Sequence, residues 1–192
     1  MTKNTIVRAS LGLILILSLS QCSLFGKKAY EFVHPISLEE ETAQNKSRGF
    51  ETFHYSKKFP FIIGYPAGSD IEVDISNEVK VEFTLPDTQI KYNVVAAPYI
   101  GELNHFIAEI FSSSIASFED SEVLRYQKRR IGSQQVYEFV AEIMLESGPR
   151  RIAEYAIVRD DHSLFVLTFF GSKQYEAKIE SLIEQLIPSF CF

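Results

Sequence analysis

The chain has 192 residues, 19 of them basic and 25 acidic, with a formal net charge of −6. That length suits one domain of ordinary size with a sizeable core. The negative balance repels phosphate backbones, which excludes nucleic acid as a partner, and it argues against docking on anionic lipid through a basic patch.

The first element reads as a leader. Lys3 and Arg8 precede an apolar stretch from Leu11 to Leu19, interrupted by Gly12 and Ser18, and Leu19-Ser20-Gln21-Cys22 follows. A basic start, a short apolar middle and small or polar residues before the cut describe a signal peptide. The stretch is too short for a membrane span, which needs about 20 apolar residues. Leu19-Ser20-Gln21-Cys22 resembles the lipobox of bacterial lipoproteins, with Gln21 where Gly, Ala or Ser is usual. The resemblance implies that residues 1–21 are removed and that Cys22 carries the lipid. Two basic residues leave with the leader, so the remaining net charge is about −8. Attachment then rests on the acyl chains, at about 0.8 kcal/mol per buried CH2. The expected location is the bacterial cell envelope, lipid-anchored at the outer membrane. Cys191 has no disulfide partner once Cys22 is acylated, and it reads as a small apolar residue between Phe190 and Phe192.

Residues 22–50 are polar, with Lys27-Lys28 and Glu39-Glu40-Glu41, and show no sustained periodicity. They read as a tether. The domain is expected over 51–192. Its first strands are Thr52 to Tyr55, Phe61 to Tyr65, Val79 to Leu85 and Lys91 to Tyr99, separated by Pro60, the turn Pro66-Ala67-Gly68-Ser69-Asp70, and Pro86-Asp87. A helix is expected from Glu102 to Phe118, on the stripe Leu103, Phe106, Ile107, Ile110, Phe111, Ile115 and Phe118. Strands over Glu122 to Ile131, Gln134 to Glu146, Arg150 to Asp160 and Leu164 to Gly171 follow, the first two joined by the hairpin signal Gly132-Ser133. A last helix runs from Lys173 to Ile187 and is stopped by Pro188. Strands that meander without crossover helices pair antiparallel, so the class is α+β: an antiparallel meander flanked by helices.

Phe59-Pro60-Phe61-Ile62-Ile63-Gly64-Tyr65-Pro66, the helix opening at Glu102-Leu103, the long meander and the closing Ile187-Pro188-Ser189-Phe190 resemble the PsbP/Mog1-like domains. The resemblance implies an antiparallel sheet with helices on its faces. Many members carry a tryptophan soon after the Tyr-Pro pair, and this chain has none. Members include a photosystem II subunit, a regulator of a small GTPase and many bacterial lipoproteins, so the resemblance leaves function open.

No stretch of the sequence forces a catalytic reading. His34, His54, His105 and His162 fall in no metal-ligand spacing, and no metal or cofactor is expected. Ser112-Ser113-Ser114 on the expected helix reads as hydroxyls bonded to neighbouring carbonyls. With Ile131 opposite Gln134, Leu124 and Tyr126 fall beside Ala141 and Phe139. In the next hairpin Ile157, Tyr155 and Ala153 are placed beside Phe139, Ala141 and Ile143. The other face then collects Arg125, Arg129, Glu138, Glu142, Glu154 and Asp160, with Glu142 directly opposite Glu154. This mixed face is the candidate contact surface for a protein partner in the envelope, provided no helix covers it. The function expected is a non-catalytic binding module on a membrane anchor. Its alternatives are a carrier of a small apolar ligand, held between Phe106 and Phe111 on the helix and Tyr126, Tyr137, Phe139 and Tyr155 on the sheet, and a hydrolase using Glu142 and Glu154 as acid and base.

Overall fold

Regular structure begins earlier than the sequence suggests. A computed structural model of the protein describes residues 37–192 except 58, 76–78, 100 and 160–162. Leu38–Phe192 forms one compact unit. Cys22 and the expected leader lie outside the described residues, as do His34, Asp160 and His162.

The final part of the expected tether is a helix, α1 (Leu38–Ser47). Glu39, Glu40 and Glu41 in its first turn and Lys46 in its last complement the helix dipole. It has no apolar stripe. What it buries is polar: Glu41 and Asn45, one turn apart. Asn45 Nδ2 donates to Thr52 Oγ1 at 3.1 Å. Gly64 makes room for this seam, since a Cβ there would lie 2.9 Å from Asn45 Oδ1.

Strands β1 (Phe50–Tyr55) and β2 (Phe61–Pro66) form a separate two-stranded antiparallel sheet. The chain's end returns to it: Ile62 and Cys191 exchange backbone bonds at 2.8 and 2.9 Å. The main sheet holds β3 (Asp70–Ile75), β4 (Val79–Thr84), β5 (Lys91–Pro98), β6 (Ser121–Ile131), β7 (Gln134–Leu145), β8 (Gly148–Val158) and β9 (Ser163–Ser172). Its order is β3-β4-β5-β9-β8-β7-β6, antiparallel throughout. Strand β3 was not expected; the turn foreseen at Pro66 to Asp70 leads into it.

Alternation gives the main sheet two buried faces. On one, Phe83, Tyr92, Phe165, Phe169, Tyr155 and Val140 meet the β1–β2 hairpin and helix α3 (Glu176–Leu186). On the other, Phe139, Ala141, Ala156, Leu164 and Val166 meet helix α2 (Leu103–Ile115). The α+β class holds as expected. Helix α2 is opened by its N-cap Glu102, whose side chain accepts from the His105 backbone N–H at 2.7 Å. Helix α3 buries Ile179, Leu182, Ile183 and Leu186, each contributing about 1.5–3 kcal/mol.

The first expected register holds over most of its length. Ile131 pairs with Gln134 around Gly132 (φ 59°), and Tyr126 with Phe139. Between Val123 and Arg125 the register slips, so Val123 rather than Leu124 faces Ala141. The second expected register is wrong. Phe139 faces Glu154, Ala141 faces Ile152 and Ile143 faces Arg150. The chain turns earlier than expected, from Leu145 to Gly148, with Gly148 at φ 101° and Pro149 admitted into the start of the strand opposite Met144. The slip is an odd number of residues, and an odd slip carries every side chain of β8 to the opposite face.

Candidate functional site

The expected partner-binding face is the seat of helix α3. Glu138 lies at its centre with 0% of its surface exposed. Its carboxylate accepts from Gln127 Nε2 at 2.6 Å, Tyr155 Oη at 3.0 Å and Arg129 Nη1 at 3.1 Å. Arg125 Nε stands 3.5 Å away. The two arginines also reach outward to the helix: Arg125 Nη2 donates to Glu180 at 2.5 Å, and Arg129 Nη2 donates to Glu184. Arg151 donates likewise to Glu176, and Lys173 lies 2.8 Å from Glu142. Glu176, Glu180 and Glu184 recur one turn apart, so a single helix line takes three arginines from the sheet. A buried carboxylate needs such partners, because its desolvation is otherwise uncompensated. The Tyr155 hydroxyl is pushed up by burial and then by the Glu138 charge beside it.

Of the six charged residues expected to share this face, Arg125, Arg129, Glu138 and Glu142 do so, and Asp160 lies outside the described residues. Glu154 does not. It lies on the α2 face, buried, accepting from Ser114 Oγ at 2.8 and 2.9 Å and from Thr168 Oγ1 at 3.1 Å. Burial pushes its carboxyl above the usual range, and the two hydroxyls offset this in part. Among the described residues no cation joins it. Arg151, not Glu154, faces Glu142. The expected acid–base pair therefore sits on opposite sides of one sheet, and the hydrolase reading loses its geometry.

The carrier reading meets a filled interface. Phe111 of α2 stacks on Phe139 with centroids 5.2 Å apart and meets Tyr126 edge-on at 5.9 Å. Tyr155, expected beside them, is on the other face. The two cavities described lie elsewhere. One of about 380 Å3 is lined by Asp87, Thr88, Gln89, Ser147, Arg150 and Tyr175 among others. The other, about 270 Å3, runs along Asp120, Ser121, Glu122, Glu142, Ile143 and Met144.

Two smaller expectations resolve as follows. Ser112 and Ser113 donate to the carbonyls of Ala108 and Ile110, whereas Ser114, 3.1 Å from the Ile110 carbonyl, gives its hydrogen to Glu154. Cys191 is half-buried, its thiol 3.8 Å from Glu41, and is pushed up to about 11 by burial first and by Glu41 second. Among the described residues no three metal-capable side chains gather. None of the described helices is long and apolar enough to cross a membrane.

The open parts of the main sheet are its edges. Strand β6 carries the bulge and exposes Val123, Leu124 and Tyr126. Strand β3 is regular, pairing from Asp70 with Thr84 to Ile75 with Val79. The sequence missed this second edge because one turn signal hid the alternation of Ile71, Val73 and Ile75 that follows it.

No protein-family model matches the sequence, and no curated protein matches it. Solved structures do. The solution structure of cyanobacterial PsbP from Synechocystis sp. PCC 6803 is similar at a TM-score of 0.59 and 11% identity, over 75% of this chain and 93% of that one. A crystal structure from Bacteroides thetaiotaomicron is similar at 0.50 and 14% identity, over 72% of this chain and 47% of that one, about half of its length. LpqN of Mycobacterium tuberculosis, described as involved in cell envelope biogenesis, is similar at 0.46 and 9% identity, over 81% of this chain and 96% of that one. At these identities likeness to the first two establishes the fold: the domain is PsbP-like.

Proposed function

We propose that the chain is an envelope lipoprotein, anchored at the outer membrane through acylated Cys22, whose PsbP-like domain binds another envelope protein and performs no chemistry of its own. One observation carries the binding half of this reading. The charged groups beneath α3 are committed to internal partners: Glu138 to Arg125, Arg129, Gln127 and Tyr155, and the three glutamates of α3 to Arg125, Arg129 and Arg151. Groups held this way position a helix and are poorly placed to exchange protons with a substrate, which requires hydrogen-bond reach of a reacting atom. Among the surfaces that remain open to a partner are the two edges of the main sheet.

Metabolic labelling tests the anchor. Wild type should incorporate radiolabelled palmitate and Cys22→Ala should not; label in the variant contradicts it. Affinity purification of the lipidated protein from its own membrane, with mass spectrometry, tests the binding module. A stoichiometric protein partner is expected, and recovery of the chain alone at every detergent strength counts against it.

A further inference from the structure

Every sheet edge offers a row of N–H and C=O groups to another strand, and proteins blunt such edges with bulges, prolines, lysines or a covering element. The two edges of this sheet are treated differently. Strand β6 has its bulge after Val123 and the basic run Lys128-Arg129-Arg130. Strand β3 has neither: its residues Asp70-Ile71-Glu72-Val73-Asp74-Ile75 contain no proline and no basic side chain, and its register to β4 is unbroken.

The side chains of β3 sort by face. Ile71, Val73 and Ile75 share the face of Val81 and Phe83. Ile71 packs on the core, but Val73 and Ile75 stay 46% and 54% exposed. Asp70, Glu72 and Asp74 occupy the opposite face, in register with Thr84, Glu82 and Lys80. The two ammonium groups there, Lys80 and Lys91, both lie on Glu82, at 3.7 and 2.7 Å. Glu72 feels Lys91 only at longer range, and none of the three β3 carboxylates makes an ion pair with a described residue.

We propose that β3 is a docking edge for an extended basic strand of a protein partner, one that alternates Lys or Arg with aliphatic residues. This rests on the binding-module reading and names the chemistry of its partner. Because successive side chains of a strand point to opposite faces, an added strand in register sets its cations beside Asp70, Glu72 and Asp74 and its aliphatic groups beside Val73 and Ile75. Backbone bonds supply affinity, and the two faces supply selection for sequence and orientation. A second copy of this chain is a poorer occupant. Its basic edge is broken by the bulge, Arg125 and Arg129 are tied to α3, and Lys128 sits 4.5 Å over the Tyr137 ring.

The probe is a short, fluorescently labelled peptide of alternating lysine and valine, titrated into the full-length protein by anisotropy. Binding should weaken at least tenfold in Glu72→Lys, Asp74→Lys protein with its fold confirmed by circular dichroism. It should also be lost when the peptide is N-methylated at every backbone nitrogen, which keeps its charge but removes the donors of both its edges. Hydrogen exchange should show new protection at β3 and none at β6. No binding, equal binding of the N-methylated peptide, unchanged affinity of the variant, or protection at β6 would each overturn the proposal. So would self-association of the wild type that these substitutions abolish, because the edge would then belong to a second copy. Capture of a partner from the membrane that survives both substitutions removes β3 while leaving the binding module standing.

Discussion

The two faces of the main sheet bury charge in opposite ways. Under α3, Glu138 is enclosed by two arginines, an amide and a phenol, and the arginines continue to Glu180 and Glu184. Under α2, Glu154 is enclosed with two hydroxyls and, among the described residues, no cation. The first arrangement fixes a helix on a sheet by charge as well as by apolar burial. The second leaves a carboxyl whose charged form is disfavoured where it sits. The same residue type thus braces one face and loads the other: the cations on Glu138 come from the neighbouring strand β6, whereas Glu154 has Ser114 of α2 and Thr168 of β9.

The largest test of this contrast is removal of α3. Truncation after Glu176 exposes the apolar face of β7, β8 and β9 and strands Arg125 and Arg129, so the cooperative melt of the domain should vanish. Retention of a wild-type transition would show that the sheet does not depend on this helix. Next in size, Arg125→Met with Arg129→Met leaves Glu138 buried without a cation. Breaking a buried pair from one side costs about 3–5 kcal/mol, read from urea unfolding. Adding Glu138→Gln to that pair should restore part of the loss.

The α2 face gives a smaller effect with a pH signature. Folding raises the Glu154 carboxyl above its unfolded value, so its contribution is most favourable at acid pH and is lost as pH rises through the raised value. Glu154→Gln should therefore melt above wild type near neutral pH, with the gap closing as pH falls toward the ordinary carboxylate range. A gap independent of pH would assign the effect to packing. Smallest of all, Lys173→Met removes an exposed partner of Glu142 and should change stability by about 0–1 kcal/mol, a control showing that the brace is local to the buried arginines.

What the sequence made legible follows the apolar period. Helix α2, the four long strands and the last helix each carry an apolar stripe or an alternating run, and each lies within a few residues of its expected position. Helix α1 escaped because its buried residues are Glu41 and Asn45, which no hydrophobic pattern reveals. The candidate site was legible only in part. The β6–β7 register followed from Gly132-Ser133, and so Arg125, Arg129, Glu138 and Glu142 were grouped correctly. The β7–β8 turn has no comparable two-residue signal around Glu146-Ser147 and is followed by Pro149, so the register slipped and Glu154 was carried to the wrong face. That α3 would cover the group depends on Glu176, Glu180 and Glu184, whose spacing is equally that of a solvated helix side.

Native-state hydrogen exchange of α3 tests most directly whether this face is a structural brace. If the arginines hold α3 in place, its central amides exchange only with global unfolding, at the same free energy as those of β8, and in the Arg125→Met, Arg129→Met protein they open locally first. Amides of α3 that open far more readily than β8 in the wild type would make the helix a detachable cover and return the charged face to the protein's working surface.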